Sequence, residues 1–599
     1  MGNKENNVKL PLFGIPALMP YIKPYGKTII VMIMLGTFSS IIDSFYPLFH
    51  KYALNNFVGK RKLDYIAFFC VLYVIILIIQ SIDNYITTYF CSKVEMKMDR
   101  DLRNAGFYHL QTLSFSYFNQ NNVGYIHSRV MSDTGKIGEL VSWRLMDFVW
   151  NFSYIISILV VMLFMSVRLS LVIFALIPVA VVCIVFFQKK LVALGRQIRE
   201  INSRISGNFN ENITGARSVK TLVIEKRVQN DFEKETENMR RESIKNGHYS
   251  ALFTALITLM SSIALSLVLW QGGKLTTKHI IEIGTLSVFM SYALGMMEPI
   301  QNVVNTISAL ISIQVNIERF TKLMNTESDV KDSKEIIEKY GDTFNPKMEN
   351  WEELHGKVEF KDVSFKYPDG DEYVLEHFNL VVPQGSTVAI VGETGAGKST
   401  LVNLVCRFFE PTVGKVLIDD KDARERSLLW LHRGIGYVLQ SPHLFSGTVR
   451  DNLRYGKPDA SEEEIWKALK MVAADKIVKR MEKGLSGEVG EGGDMLSTGE
   501  KQLLSFARAI LADPKILVLD EATSSIDSVT EKAIQNAIKV VTKGRTTFMI
   551  AHRLSTVVDA DVILAVCDGK IIERGNHHEL MKKKGYYHEL YTRQFSEDI

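Results

Sequence analysis

The residues with the clearest chemistry are Gly392, Glu393, Thr394, Gly395, Ala396, Gly397, Lys398, Ser399 and Thr400. They follow the apolar run Val388-Ala389-Ile390-Val391 and lead into Leu401-Val402-Asn403-Leu404, which predicts a strand before and a helix after. Gly392, four residues, then Gly397, Lys398 and Ser399 match the phosphate-cradling P-loop pattern. A triphosphate needs many donors in a small space. Glycines let backbone N–H groups curl round the phosphates, and the helix start adds its positive dipole end. Lys398 is placed to reach the β- and γ-phosphates, and the Ser399 hydroxyl to ligate Mg²⁺.

A second constellation sits about 120 residues downstream. Leu517-Val518-Leu519-Asp520-Glu521 is an apolar strand ending in two carboxylates, where a parallel α/β sheet exposes its functional ends. Alone, such a run would be read as a strand end before a helix cap. With the phosphate cradle upstream, Asp520 is expected to hold Mg²⁺, directly or through water, and Glu521 to polarise a water for attack on the γ-phosphate.

These side chains need a sheet to hold them. From Lys357 onward the pattern is one of short strands: Val358–Tyr367 alternates apolar and polar, and β-rich runs follow at Thr387–Val391, Ile516–Leu519, Thr546–Ile550 and Val562–Val566. Asp568-Gly569 closes a hairpin. Strands alternating with helical segments predict an α/β nucleotide-binding core.

The other half of the 599-residue chain is of a different kind. Six apolar runs, at about 28–49, 64–88, 143–166, 169–188, 249–271 and 281–306, have the length needed to cross a bilayer. Long polar stretches at about 89–142 and 189–248 separate the second run from the third and the fourth from the fifth. The second stretch carries Lys189, Lys190, Arg196, Arg199, Arg204, Arg217, Lys220, Lys226 and Arg227, whereas the connection between runs three and four offers only Arg168. The positive-inside rule puts the long stretches and both termini in the cytoplasm, as helical extensions of the spans with a turn at the far end.

The first 27 residues lack a secretory signal, and Leu10–Met19, broken by Pro11 and Pro16, suits a membrane surface better than a span. A linker at 321–356, rich in Glu, Asp, Lys and Asn, leads to the domain of 357–599, so the membrane domain covers 28–320. Asp43, Asp83, Asp147 and Glu298 fall in or near spans; they read either as an acidic lining for cations or as locally paired groups near span ends. A net charge of +4 does not call for nucleic acid, and five scattered cysteines argue against a disulfide framework or a zinc site. A mean hydropathy of +0.06 is high for a soluble protein.

Leu496-Ser497-Thr498-Gly499-Glu500-Lys501-Gln502, about twenty residues before Asp520, resembles the signature of ATP-binding-cassette proteins. The remaining parts of a cassette follow in order. Tyr367 looks like the aromatic that stacks on adenine, and Gln440 like the glutamine that contacts Mg²⁺ and signals to the membrane domain. Asp527 lies in a segment similar to the D-loop, and His552 is similar to the switch histidine at the γ-phosphate. Glu488–Gly493 looks like the segment that touches the intracellular loops in exporters. In the membrane half, Leu113–Phe118 with Val123, Gly124 and Arg129 resembles the first coupling region of exporter-type transporters; Ile213–Lys220 with Phe232 resembles the second.

The resemblance covers essentially the whole chain and implies a six-span α-helical transmembrane domain fused ahead of an α/β P-loop ATPase domain, the half-transporter layout. It implies ATP and Mg²⁺ as cofactors, location in the plasma membrane as a multi-pass protein with cytoplasmic N-terminus and cassette, and ATP-driven export by alternating access. Glu521, His552 and Gln440 would be its catalytic residues, with Ser497 and Gly499 meeting the γ-phosphate of an ATP held by a second cassette. A few exporter-shaped proteins import, and a gated channel or regulator can use the same fold. The six spans argue against a soluble cassette of DNA repair or translation, and with 27 residues ahead of the first span the protease domain of a peptide-processing exporter is not expected.

The family signature is usually Leu-Ser-Gly-Gly-Gln, so Thr498 and Glu500 depart from it. Altered signature beside intact hydrolytic residues resembles one member of a heterodimeric exporter; a homodimer that tolerates both changes is the alternative. Glu500 is expected to weaken the site unless a cation or hydrogen bond offsets its charge. Amphipathic drugs or lipid-like molecules are the substrates the family suggests.

Overall fold

The computed structural model describes residues 14–60, 63–520, 528–551 and 554–597. They form two compact units, one of residues up to His109 and Val123–Thr326, the other of Leu110–Asn122 and Glu327–Ile599.

The first unit contains six helices long and apolar enough to cross a membrane: Ile15–Gly59, Ile66–Thr112, Val123–Met165, Val167–Thr214, Glu225–Thr277 and Ile283–Met324. They run to between 42 and 53 residues, whereas a bilayer needs about 20. At about 1.5 Å per residue the longest extends about 80 Å, so the polar stretches of the sequence are helix continuing past the apolar segment. The most apolar window of the second helix is only 6 % buried, as a lipid-facing surface requires.

Two cores hold the helices together. Leu18, Met32, Met98, Leu102, Ile137 and Phe320 belong to one; Ile158, Ile184, Phe253, Val268 and Phe289 belong to the other. Leu18 lies on the Ile15–Ile22 helix, which starts with Pro16 in its first turn, where no N–H is needed. The Leu10–Met19 stretch therefore ends in helix packed on the unit's own core; its first four residues lie outside the described residues. Arg129 is buried with its charge matched: it pairs with Asp133 at 2.9 Å and lies over the Tyr125 ring at 4.3 Å.

Of the four carboxylates in question, Asp43 accepts hydrogen bonds from Trp150 Nε1 at 3.1 Å and from Gln80, and Asp147 lies 4.0 Å from Arg144. Asp147 has a local charge partner, whereas Asp43 is held by neutral donors of two other helices. Asp83 is buried and Glu298 is exposed.

The second unit holds two sheets. β1 (Val358–Phe365), β2 (Leu375–Val382), β4 (Val413–Ile418) and β5 (Lys421–Asp422) form an antiparallel sheet in the order β2-β1-β4-β5. The alternation predicted for β1 holds to Lys361: Asp362, at φ 52°, is exposed beside it at a register shift, and Val363, Ser364 and Phe365 are then all buried. A bulge re-aims the strand at Lys361-Asp362, where two polar residues follow one another in the sequence.

The other sheet has the order β10-β9-β3-β8-β7-β6, from β3 (Thr387–Val391), β6 (Ile435–Val438), β7 (Ile516–Asp520), β8 (Thr546–Ile550), β9 (Val562–Cys567) and β10 (Lys570–Gly575). All neighbours are parallel except β9 and β10. These two form the hairpin expected at Asp568-Gly569, whose φ values of 47° and 72° are those of a turn that matches strand twist. The parallel strands are buried on both faces, hence their continuous runs of Val, Ile and Leu.

Candidate functional site

β3 delivers the phosphate-cradle residues at its C-terminal end. Gly392, Gly395 and Gly397 have φ values of 155°, 89° and 97°, a backbone that side chains rarely adopt. At Gly392 space is also decisive, because a Cβ there would run into the Val566 carbonyl oxygen of β9. Gly397 caps the Lys398–Val405 helix, so that helix starts inside the loop.

Lys398 is only 8 % exposed, and its ammonium donates to the carbonyl oxygens of Gly392 and Glu393, both at 2.7 Å. The lysine thus closes the loop on itself, with its charge held at the loop's centre. Burial lowers its pKa, against the opposing pull of the Asp520 carboxylate. Glu393, Thr394, Gly395 and Ser399 are exposed on the rim, while Ala396 and Thr400 are buried beneath it.

Sheet register places the second constellation. Ile550 of β8 pairs with Ile390 of β3 on one side and with Asp520 of β7 on the other. Asp520 is therefore level with the end of β3 and two strands away, about 10 Å at ordinary strand spacing. Val438 of β6 pairs with Leu519, so the exposed Gln440 follows from the next strand end along. Cradle, Asp520 and Gln440 all emerge at the carboxyl edge of one parallel sheet, where such sheets bind ligands. Glu521, Asp527 and His552, the other residues expected here, lie outside the described residues.

Tyr367 is half-buried, edge-on to Phe365 and Phe409 at 5.0 and 5.2 Å. Its hydroxyl lies 2.9 Å from Thr400 Oγ1, tying it to the first turn of the cradle's helix.

In the signature segment, Ser497 is the N-cap of the Thr498–Ala512 helix. Its hydroxyl accepts the Glu500 N–H at 3.3 Å, and Glu500 Oε2 accepts the Ser497 N–H at 2.9 Å, a reciprocal capping box. Arg480 donates to the other Glu500 oxygen. Burial alone would raise the pKa of Glu500; the Ser497 N–H and the Arg480 guanidinium outweigh it and hold the carboxyl below its ordinary value. The offset that the altered signature demanded is therefore present. The serine oxygen that accepts one bond keeps its own proton to donate, and Gly499 is buried in the helix's first turn. Ser497 and Glu500 show the capping spacing in the sequence; Arg480, twenty residues upstream, carries no such signal.

Two turns connect the long helices. In the first, Phe115–Gln120 forms a short helix whose Phe115 ring stacks on Phe408 at 5.0 Å and 28°. Phe408 in turn lies against His432 and Tyr437, with ring centres 5.4 and 5.9 Å away. His432 Nε2 donates to the Cys406 carbonyl at 2.9 Å. Burial drives the His432 pKa down, against that hydrogen bond's tendency to raise it.

In the second turn, Gly215 separates the Val167–Thr214 and Ala216–Thr221 helices. Ile213, Leu222 and Val223 are 62 %, 66 % and 80 % exposed there. Val223 has φ 55°, a strained conformation for a β-branched residue.

Residues 29–300 match the family described as ABC transporter transmembrane region, and residues 375–524 match the family described as ABC transporter. The chain is 36 % identical to the probable multidrug resistance ABC transporter ATP-binding/permease protein YheH of Bacillus subtilis (strain 168), over 85 % of this chain and 74 % of that one. It is 30 % identical to the ATP-dependent lipid A-core flippase of Escherichia coli (strain K12), over 97 % of each. An uncharacterized ABC transporter ATP-binding protein, YfiC of Bacillus subtilis (strain 168), is 31 % identical over 95 % of this chain and 92 % of its own.

Proposed function

The chain belongs to the ABC transporter family, as an ATP hydrolase coupled to transport in the plasma membrane with its ATP-binding domain in the cytoplasm, and on that premise we propose that it exports amphipathic molecules as one half of a dimer. One observation carries the coupling to ATP. The phosphate cradle and Asp520 open at the same edge of one parallel sheet, in a chain that also has six helices able to span a bilayer. Export of amphiphiles draws support from the relatives, of which one is named for multidrug resistance and another as a lipid flippase.

In this reading Gly392–Thr400 wraps the phosphates, Lys398 neutralises the β- and γ-phosphates, and Tyr367 supports the base. Ser399, Asp520 and Gln440 bring only oxygen donors, which suits Mg²⁺; bound there, the ion would neutralise phosphate charge. Glu521 accepts a proton from the attacking water while His552 orients the γ-phosphate, and Asp527, in the D-loop-like segment, contributes to the nucleotide site. ATP drives the cycle only through tighter binding to the closed than to the open arrangement. Ser497 and Gly499 act on the ATP of the facing cassette.

The bare, strained tip of the second turn supports a dimer, because exposed apolar side chains on a polar hairpin call for a cover. Thr498 and Glu500 favour a partner with a regular signature. A homodimer is the second reading, favoured by the Arg480–Glu500 pair that offsets the added charge.

The test is ATP binding and hydrolysis by the full chain purified in lipid. Lys398→Ala should abolish ATP binding, and Glu521→Gln should retain binding without hydrolysis. Hydrolysis by Glu521→Gln at the wild-type rate would remove Glu521 from its role. Robust activity of the chain alone selects the homodimer. Activity no higher than the Glu521→Gln blank selects the heterodimer.

A further inference from the structure

A cavity of about 640 Å³ opens among the third, fourth and sixth spans. That volume is within the range of small-molecule sites. Its walls are apolar for most of their length. Ile177, Val181 and Val185 of the fourth span face Ile300, Val304 and Ile307 of the sixth. Four-residue steps along one helix, and three- and four-residue steps along the other, keep these side chains on a single face of each.

The same face of the fourth span then changes character. Gln188, Lys189, the next four-residue step after Val185, and Arg196 line the cavity towards the C-terminal end of this stretch, with Val192 and Ala193 between the two cations. No Asp or Glu contributes to the lining, and no ion pair engages Lys189 or Arg196 among the described residues.

The positive-inside rule accounts for cations at this height of a helix, but not for the direction in which they lie. Lys190 supplies the contrast. It sits one position away, carries the same charge, and lies over the Tyr249 ring at 5.5 Å instead of lining the cavity. Two cations thus face an apolar cleft while their neighbour is engaged elsewhere.

We infer that this cavity binds an anionic amphiphile, with its hydrocarbon chain along Ile177–Val185 and Ile300–Ile307 and its acidic headgroup on Lys189 and Arg196. The inference rests on the reading of the chain as an exporter of amphiphiles and narrows the substrate class to one sign of charge. A zwitterionic headgroup would bring a cation to the same end, and a cationic one would meet only repulsion. Burial of the chain supplies affinity in proportion to apolar area, and the two cations supply the selection.

The experiment is an equilibrium binding titration, without ATP, of the full chain held in phosphatidylcholine nanodiscs. The probes are dodecyl phosphate, dodecylphosphocholine, dodecyltrimethylammonium and inorganic phosphate. Dodecyl phosphate should bind at least about tenfold more tightly than the two other amphiphiles, and inorganic phosphate at least about tenfold more weakly than dodecyl phosphate.

The Lys189→Gln/Arg196→Gln variant should lose the headgroup preference and keep binding of the dodecyl chain. Lys190→Gln removes the same charge at the same height and should keep the preference. Val304→Trp, which fills the cleft and leaves both cations, should weaken all three amphiphiles. Equal affinity for the three headgroups overturns the inference, as does a preference that survives the double variant or is lost equally in Lys190→Gln. Inorganic phosphate binding as tightly as dodecyl phosphate would make this a plain anion site, which also overturns it. Because no nucleotide is present, failure here is separable from failure of the ATP-driven reading, which the Lys398→Ala and Glu521→Gln comparison decides.

Discussion

The two turns that join the long helices start from similar material and end in opposite environments. Each is a short helix at the tip of a helical hairpin, and each carries apolar side chains on a polar stretch. The first buries Leu113 and Ser116 and stacks Phe115 on Phe408, and the segment Leu110–Asn122 belongs to the same compact unit as the nucleotide-binding sheet. The second leaves Ile213, Leu222 and Val223 bare and holds Val223 in a strained backbone. The first turn finds part of its cover within one chain, with Phe115 and Phe118 still 44 % and 41 % exposed. The second has apolar surface and stored strain with no cover among the described residues, a combination that clusters at functional surfaces. On the dimeric reading, a second chain supplies that cover.

The largest effect should come from the uncovered tip. Leu222→Asp/Val223→Asp is compatible with the local fold, since Asp tolerates the positive φ of position 223 better than Val does. With the dimer's cover repelled, ATPase activity in lipid should fall by more than about tenfold, with thermal unfolding unchanged or slightly raised. Activity within about twofold of wild type would break the comparison, because the exposed surface would then serve no partner.

A smaller effect is expected at the covered turn. Phe115→Ala removes a stacked aromatic pair, which contributes about 0.5–1.5 kcal/mol beyond area burial. Unfolding of the second unit by denaturant should therefore shift by about 1 kcal/mol, and transport should fall more than ATP hydrolysis does. If both activities fall together, Phe115 does not link the two.

The smallest effect is a pH dependence confined to the first turn. His432 lies under Phe408, and burial lowers its pKa in the folded state. The unfolded chain then binds more protons than the folded one as the pH falls through about 6.5, so stability declines on acidification below that value. His432→Gln should flatten this decline in thermal unfolding measured from pH 7.5 to 5.5. An unchanged slope would assign it to other groups.

Much of the site was legible in the sequence because its chemistry is local. Gly392, Gly397 and Lys398 have to be neighbours in the chain to wrap one phosphate group, so their spacing is visible without a fold. The capping relation of Ser497 and Glu500 is legible for the same reason, since a helix N-terminus is built from positions three apart. Departures arose where distant segments meet. The bulge at Asp362 breaks the alternation of β1, and Arg480 reaches Glu500 from twenty residues upstream.

By itself, then, the sequence determined six apolar helices, an α/β ATP-binding domain, and the residue types that surround a triphosphate. Apolar length against bilayer thickness, and glycine spacing against phosphate geometry, are both constraints along the chain. Only the tertiary structure decided that β8 separates β3 from β7, that Lys189 and Arg196 line the cavity while Lys190 lies on Tyr249, and that one turn stacks on Phe408 while the other is bare. Those are matters of which surfaces meet across long sequence separations. Packing fixes them, and periodicity carries no record of the partner.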